Sequence, residues 1–406
     1  MSTTSVSTWP SSPAPTTEEV FAFADLEIGA AATERWPHAH LDLGSHVPGV
    51  TGYVRRIVVD GRPLYAKYSL LGVSLVSLLR GTCGPWPQVR AAQRQYVLRP
   101  DTLVEREAAQ LRLLLGAGRP RVCPVIGVGR GVLFTEAVTG ASLAQLLLQR
   151  PEQSADLLVG TFDLLHDLHR RPTAQWPGPM RITGERSIAG TFHRKFNGLS
   201  GPVYVERLGA GRCPAGDREE VVAGLRQIVV RLHQLRTRVL PQSPQRVLAY
   251  GDLKPEHVLY PDGIDKPPVF IDPGLLLAGT AVDMAKLISR TVLTLAAARP
   301  GPWTGRHLLH GIGVFANTRR DGLSDEERHA WLREVLGLWL MDTGNILTTY
   351  LSAPTELPLP ALGETLVDRA ADLCRMVDRI SAGLASTGDT GAVWDNALSH
   401  AQEVAA

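Results

Sequence analysis

The chain has little cysteine, and its cysteines are scattered. Four occur among 406 residues, and none form a Cys-x-x-Cys pair or follow the spacing of a zinc site. Disulfide-stapled secreted domains and zinc modules concentrate their cysteines in regular patterns. The sequence therefore predicts neither a disulfide-stapled secreted domain nor a zinc module, and it is typical of a cytoplasmic protein with reduced thiols.

Long apolar runs are also missing. The run at residues 70–79 covers about ten residues before Arg80, whereas a membrane-spanning helix needs about twenty. This run predicts a buried helix or a surface that docks another protein. The first seventeen residues are rich in Ser, Thr and Pro and lack the basic patch and apolar core of a secretory signal. We expect residues 1–20 to form a disordered leader.

An excess of charge of one sign is absent as well. Lys and Arg total 42 against 40 Asp and Glu, which gives a formal net charge of +2. Such a balance offers no general argument for a nucleic-acid or membrane partner. The length leaves room for two lobes with separate cores or for one enlarged domain.

The most informative segment lies at residues 250–274. It reads Tyr-Gly-Asp-Leu-Lys-Pro-Glu-His and, after a short gap, Val-Phe-Ile-Asp-Pro-Gly. A phosphoryl-transfer site needs one carboxylate to accept or orient the proton of the attacking hydroxyl and another to hold Mg²⁺ against the nucleotide phosphates. Asp252 and Asp272 are candidates for these two roles. Asp before Pro-Gly is also a common turn, so the pattern gains weight only with the segments upstream.

The N-terminal part predicts a small antiparallel sheet. Three alternating apolar runs cover residues 41–47, 53–59 and 63–69, and Asp60-Gly61 between the second and third is a hairpin signal. The segment 44–52 between the first two runs is rich in glycine. The backbone at Gly49 and Gly52 is a candidate to cover ATP phosphates, since glycine permits close approach, although such glycines are usually only turns.

Helical apolar spacing indicates that the remainder is mostly helical. The predicted helices cover residues 103–115, 157–169, 221–240, 325–342 and 362–384.

These segments resemble, in order and spacing, the aminoglycoside phosphotransferase and choline kinase branch of the protein-kinase-like fold. The family's catalytic loop reads His-Gly-Asp-x-x-x-x-Asn and its metal segment reads Ile-Asp, so Asp252 and Asp272 fall on its catalytic and metal aspartates. Tyr250 replaces the histidine and His257 replaces the asparagine. The resemblance covers roughly residues 40–300. It implies an α+β, two-lobed fold with a small antiparallel-sheet N-lobe and a larger helical C-lobe.

The resemblance also implies a phosphate clamp. Lys67, amid apolar neighbours on the third strand, matches the lysine that reaches the α- and β-phosphates. Glu107, with Glu105 as second choice, matches the helix glutamate that pairs with that lysine. The plain alternatives are an edge-strand surface lysine and solvated helix glutamates.

Further roles follow from the same resemblance. Backbone groups of Glu136 to Val138 are expected to face the adenine, and Lys254 is expected to face phosphate beside Asp252. His257 is expected to join Asp272 in holding Mg²⁺, although imidazole favours softer ions. Asp283 matches an aspartate that steadies the catalytic turn, but a simple helix N-cap would explain it equally.

The predicted domain organisation is an N-lobe at residues 21–138, with an insertion at about 70–100, and a C-lobe at residues 139–406 that carries the catalytic and metal loops. A second insertion, residues 181–214, is rich in basic side chains. These are Arg186, His193, Arg194, Lys195 and Arg207. Near a substrate cleft they would favour an acidic or phosphorylated substrate, whereas a solvated loop would give them no specific role.

The predicted activity is ATP- and Mg²⁺-dependent phosphorylation of an alcohol. The acceptor is expected to be an antibiotic or natural product, or Ser or Thr of a biosynthetic precursor peptide that a partner lyase or cyclase then processes. Aminoglycoside pockets of the family are expected to be acidic, so the basic second insertion favours a peptide or another non-cationic acceptor. The alternative is a pseudokinase that binds nucleotide or a partner without turnover, as Tyr250, His257 and the 70–79 run indicate.

Overall fold

The protein is described here by a computed structural model. It describes residues 14–170, 183–184, 186–197, 201–206, 208, 212–241, 246–319, 322–386 and 389–405. Most of the predicted leader lies outside these residues. Its last part is helical, because the first helix begins at Thr17, where the Thr16 side chain and Glu19 form a capping box.

The N-terminal lobe is built on an antiparallel sheet of five strands in the spatial order β1-β2-β3-β5-β4. Its strands are β1 (Leu41–Val47), β2 (Tyr53–Val59), β3 (Arg62–Tyr68), β4 (Val125–Gly129) and β5 (Val132–Glu136). Its helices are α1 (Thr17–Arg35), α2 (Leu75–Leu79), α3 (Trp86–Tyr96) and α4 (Leu103–Ala117).

The predicted hairpin between β2 and β3 is confirmed. Asp60 and Gly61 both have positive φ, 49° and 81°, as a two-residue hairpin turn requires. The glycine-rich turn before β2 is shorter than predicted. Strand β1 runs on to Val47 and its register shifts between Leu43 and His46, so only residues 48–52 connect the two strands.

The apolar run at residues 70–79 contains the short buried helix α2, which confirms the helical alternative for it. Leu75 and Leu78 are 1% and 0% exposed. The helix also reaches the other lobe, because the Ser77 hydroxyl lies 2.7 Å from the hydroxyl of Tyr204. The first insertion therefore packs within the chain and joins the two lobes.

The C-terminal lobe is helical, with short strands at the cleft. Its helices are α5 (Leu143–Gln149), α6 (Ser154–Asp163), α7 (His166–Arg170), α8 (Ile188–Phe196), α9 (Gly201–Val205), α10 (Arg218–Val239), α11 (Ala281–Ala298), α12 (Pro302–Thr318), α13 (Asp325–Leu351), α14 (Ala361–Asp368), α15 (Ala370–Ala385) and α16 (Thr390–Ala405). Its strands are β6 (Ala141–Ser142), β7 (Val247–Ala249), β8 (Val258–Tyr260), β9 (Val269–Phe270) and β10 (Leu276–Ala278).

Helices α11 and α13 form the centre of this lobe. Both are buried over most of their length, and Trp339 on α13 is fully buried. The single helix predicted at residues 157–169 is wrong, because a turn at Leu164 and Leu165 separates α6 from α7. The predicted α+β architecture with a sheet lobe and a helical lobe is confirmed.

Within the described residues, no helix is both long and apolar enough to cross a membrane.

Candidate active site

The loop after β7 is held at its backbone by Asp283, on the first turn of α11. The Asp283 carboxylate accepts hydrogen bonds from the backbone N–H groups of Tyr250, at 2.7 Å, and Gly251, at 2.6 Å. His169 Nε2 lies 2.9 Å from the same carboxylate. The N-cap alternative for Asp283 is wrong, since the cap position is Thr280 and Asp283 lies inside the helix.

Gly251 lets this loop approach the metal segment. Its φ is +82°, and a Cβ at this position would lie 2.0 Å from the carbonyl oxygen of Gly274. Only glycine fits such a contact without movement of the backbone. The turn therefore brings the residue after it, Asp252, to the loop that carries Asp272.

Tyr250, one of the two departures from the family pattern, joins the same two segments. Its ring is fully buried and meets Phe270 edge-on at 5.6 Å. Burial raises the pKa of Tyr250 well above its usual value, so the hydroxyl stays protonated and donates to the Ile271 carbonyl at 2.9 Å. The tyrosine thus ties the loop that carries Asp252 to the residue before Asp272.

Asp252 lies among cations. Lys254 Nζ is 2.8 Å from one carboxylate oxygen, and Lys286 Nζ is 3.4 Å from the other. Burial opposes ionisation, but the attraction of these lysines outweighs it and holds the pKa of Asp252 far below its usual range. The carboxylate is ionised at neutral pH, and its side chain remains 31% exposed to the cleft.

Lys67 connects the sheet lobe to the metal segment. Its Nζ lies 2.7 Å from Glu107 Oε1 on α4 and also contacts the Asp272 carboxylate. The structure therefore brings together Glu107, rather than Glu105, and the strand lysine. Asp272 itself has a left-handed backbone with φ of 56°, which short polar residues tolerate best.

His257 lies between the two aspartates. Its Nδ1 is 3.9 Å from Asp252 and its Nε2 is 3.7 Å from Asp272. Burial first, and then the charge of Lys254, hold the pKa of His257 well below its usual value, so the imidazole is neutral. Its Nδ1 is buried and has no hydrogen-bond partner. In the part of the chain that the structure describes, no three His, Cys, Asp or Glu side chains cluster as metal ligands.

The residues expected to contact nucleotide through their backbones lie at the ends of strands of the sheet. Gly49 and Gly52 flank the connection between β1 and β2, and neither has positive φ. Glu136 ends β5, and its side chain pairs with Arg62 at 3.0 Å. The Glu136 N–H donates to the Pro124 carbonyl at 3.1 Å. Contact of the Glu136 and Val138 backbones with adenine stays a prediction.

A buried ion-pair network behind Asp252 was not predicted from the sequence. Lys286 Nζ donates to Asp342 Oδ1 at 2.7 Å, and Arg290 Nε donates to Asp342 Oδ2 at 2.8 Å. The Ser289 hydroxyl adds a hydrogen bond to Asp342 at 2.9 Å. The sequence did hold one signal for this network. Lys286 and Arg290 form an i, i+4 pair of cations on the otherwise apolar helix α11, and buried cations of this kind need an acidic partner from elsewhere in the chain.

The basic second insertion is only partly at the cleft. Lys195 Nζ donates to the Asn345 carbonyl at 2.6 Å and to the Thr349 hydroxyl at 2.7 Å, so it packs α8 onto α13. Arg186 lies near Asp252 and contributes to its surroundings. Arg207 lies outside the described residues.

Among known proteins, no family model and no curated sequence matches this chain. Solved structures do match. An amicoumacin kinase, solved with AMP-PNP, Ca²⁺ and amicoumacin, has 14% sequence identity and a TM-score of 0.50 over 90% of this chain and 96% of its own. A type VIII aminoglycoside-3′-phosphotransferase has 21% identity and a TM-score of 0.42 over 77% of this chain and 99% of its own. The Plasmodium vivax ethanolamine kinase has 13% identity and a TM-score of 0.47 over 90% of this chain and 91% of its own.

The match to the amicoumacin kinase spans nearly the whole of both chains, and it includes the sheet lobe and the helical lobe on either side of the cleft. The predicted resemblance is thereby confirmed at the level of architecture: this chain shares the two-lobed fold of the amicoumacin kinase.

Proposed function

We propose that the protein transfers the γ-phosphoryl group of ATP to a hydroxyl group. The observation that carries the proposal is the meeting of an ionised Asp252 with the Lys67, Glu107 and Asp272 cluster across one cleft. Phosphoryl transfer depends mainly on positioning and on neutralising the phosphate charges, and these residues are suited to both tasks.

Each residue has a stated role in the proposal. Lys67, held extended by Glu107, binds the α- and β-phosphates in place of its present contact with Asp272. Asp252 orients the acceptor hydroxyl and accepts its proton as the new P–O bond forms. Lys254, 2.8 Å from Asp252, faces the phosphoryl group and offsets its charge.

The donor set fits a magnesium ion that arrives with the nucleotide. Mg²⁺ in kinase sites is commonly held by one or two carboxylates, substrate phosphates and water rather than by a full protein cage. Asp272 supplies the carboxylate, and the unpartnered, neutral His257 stands where it can bind the ion directly or through water. The metal would bridge the phosphates and neutralise their charge.

For the acceptor we propose a small natural product or antibiotic, or Ser or Thr of a precursor peptide. The amicoumacin kinase of the same fold was solved with an antibiotic, which supports the first class. Use of ATP and four free cysteines are consistent with the cytoplasm.

A transfer assay with γ-labelled ATP and Mg²⁺ tests the proposal. The acceptor panel contains aminoglycosides, amino alcohols, anionic alcohols and Ser/Thr-rich peptides. Asp252→Asn removes the base while retaining the shape of the side chain, and we expect it to lower the transfer rate by about 10²–10⁴-fold.

Asp262→Asn is the matched control, because Asp262 is about half exposed and pairs only with Arg121 in the nearby hairpin. It should leave transfer unchanged. Nucleotide binding without transfer to any acceptor, or transfer that survives in Asp252→Asn, would contradict the proposal and favour a non-catalytic nucleotide-binding protein.

A further inference from the structure

We propose that Arg186 and Arg106 form a second anion site beside Asp252, which binds a carboxylate or phosphate group carried by the acceptor. The inference rests on the proposed phosphotransferase function and specifies its substrate class: an alcohol with an anionic group near the reactive hydroxyl.

Arg186 stands at the mouth of the catalytic loops. Two residues before it, the Gly184 N–H donates to the Leu275 carbonyl at 2.7 Å, which ties this segment to the loop after Asp272. The same loop touches Asp252, since a Cβ on Gly274 would lie 3.3 Å from Asp252 Cβ. The Arg186 guanidinium donates to the Gly72 carbonyl, and the side chain is exposed.

Arg106 comes from the other lobe. It lies on α4 directly before Glu107, the partner of Lys67. Its Nε is buried and has no hydrogen-bond partner. Among the described residues, neither Arg106 nor Arg186 has a carboxylate in an ion pair, whereas Arg55, Arg62, Arg121 and Arg290 each have one.

Arg186 reaches the segment that packs on the start of α4. It donates to the Gly72 carbonyl, and a Cβ on Gly72 would lie 3.6 Å from Leu103 Cγ, one turn before Arg106. Partial desolvation by the surrounding protein lowers the pKa of Arg186. The charges of Arg106 and Arg194 lower it further, whereas Tyr96 and Asp252 raise it. Like charges that are held near one another destabilise the free protein. An anion between them would relieve this repulsion, and guanidinium groups match the geometry of carboxylate and phosphate oxygens.

The position favours the acceptor over the nucleotide. The nucleotide phosphates are assigned to Lys67 and to a metal at Asp272, whereas Arg186 is attached to the loop at Asp252, which the hydroxyl must reach. A polycationic acceptor would be repelled at the same place.

Calorimetry on the full chain saturated with AMP-PNP and Mg²⁺ tests the site. The probes are glycerol 2-phosphate and glycerate, with glycerol as the neutral control. We expect both anions to bind and glycerol not to bind. Arg186→Gln and Arg106→Gln should each weaken anion binding about tenfold, because each removes a charged hydrogen-bond donor. The two anions report separately on phosphate and carboxylate recognition.

Arg90→Gln is the matched control, since Arg90 lies exposed on α3 of the same lobe. Equal anion affinity in all variants would overturn the inference while leaving nucleotide binding, and with it the proposed function, intact. Variants that lose affinity for AMP-PNP but not for ADP would also overturn it, because the pair would then bind the γ-phosphate. Failure of the wild-type protein to bind AMP-PNP would remove the proposed function on which the inference rests.

Discussion

Gly251 is the residue at which the candidate site has the least steric freedom. The peptide before Asp252 must approach Gly274 closely, and the two N–H groups at Tyr250 and Gly251 must both reach Asp283. A side chain at position 251 would push the two loops apart. The position of Asp252 relative to Asp272 therefore depends on a residue without a reactive side chain.

Gly251→Ala tests this dependence. We expect it to lower the free energy of unfolding by at least about 1–3 kcal/mol, through backbone strain and the clash at Gly274, and to abolish phosphoryl transfer. Urea denaturation and the transfer assay provide the two measurements.

Gly263→Ala separates the effect of backbone strain from the effect of the clash. Gly263 has a similar φ of +87°, but a Cβ there would meet nothing within 4 Å. This variant should carry only the cost of the left-handed backbone, about 1–2 kcal/mol, and keep its activity. If both variants lose the same stability and Gly251→Ala stays active, the close approach has no functional importance.

For single residues, the sequence predicted the contacts between members of its recognised motifs. Lys67 contacts Glu107 and Asp272, and His257 lies between Asp272 and Asp252, as the order of the motifs indicated. The structural role of Tyr250 was not predictable, because its partner is the Ile271 carbonyl and a backbone acceptor leaves no pattern in a sequence.

Helix α13 supports the catalytic loop from behind, through one buried acid. Asp342 is 2% exposed and pairs with both Lys286 and Arg290 of α11. These two cations outweigh the effect of burial and hold the pKa of Asp342 well below its usual range. Lys286 also reaches Asp252, so α13 influences the charge at the base without touching it.

Asp342→Asn tests this network. Removal of one charge from a buried pair leaves the partner cations uncompensated, which typically costs about 3–5 kcal/mol. Lys286 should then pair more strongly with Asp252 and lower its basicity, so transfer should slow even where the protein remains folded. Thermal unfolding and the dependence of kcat on pH measure the two effects.

Asp325→Asn provides the comparison on the same helix. The Asp325 side chain is 92% exposed and pairs only with Arg328, at 3.6 Å. Exposed pairs contribute about 1 kcal/mol or less, so this variant should behave like the wild type. An Asp342→Asn protein with unchanged stability and kcat would refute a role for the network.

Sequence patterns located the helices but not their ends or their partners. The apolar period predicted a helix at residues 325–342, and α13 extends to Leu351 because the later residues are buried by tertiary packing. The Lys286–Asp342 pair joins positions 56 residues apart, and a single sequence carries no signal for such a contact.

In the molecule as a whole, the two lobes are joined by more than the chain segment between β5 and β6. The first insertion reaches the helical lobe through Ser77 and Tyr204, and the second returns through Arg186 and Gly72. Both insertions were recognised in the sequence as extra segments. Their mutual contact was not, because a hydrogen bond from Arg186 to a backbone carbonyl 114 residues away leaves no pattern in a single sequence.

The folded protein should lose stability between about pH 5 and pH 7. Burial raises the pKa of Glu334 from 4.5 to about 7, so the folded state binds a proton in this range that the unfolded state has released. The contribution is fully present below the unfolded pKa and disappears as the pH rises through the folded one. Its upper limit is about 3 kcal/mol.

Glu334→Gln should remove this dependence. The difference in unfolding free energy between the two proteins, measured in urea from pH 4 to pH 8, should grow in favour of the variant as the pH rises. Parallel pH profiles for both proteins would show that Glu334 does not titrate between these limits.

The proposed phosphotransferase function requires Asp272 to hold a metal against the nucleotide phosphates. Asp272→Asn tests it with little disturbance, since asparagine also accepts a left-handed backbone. The measurement is calorimetric binding of AMP-PNP with and without Mg²⁺. We predict that Mg²⁺ strengthens binding in the wild type and in Asp262→Asn but not in Asp272→Asn. The same gain from Mg²⁺ in all three proteins would contradict a metal-binding role of Asp272. No binding of AMP-PNP to the wild type would contradict the proposed function as a whole.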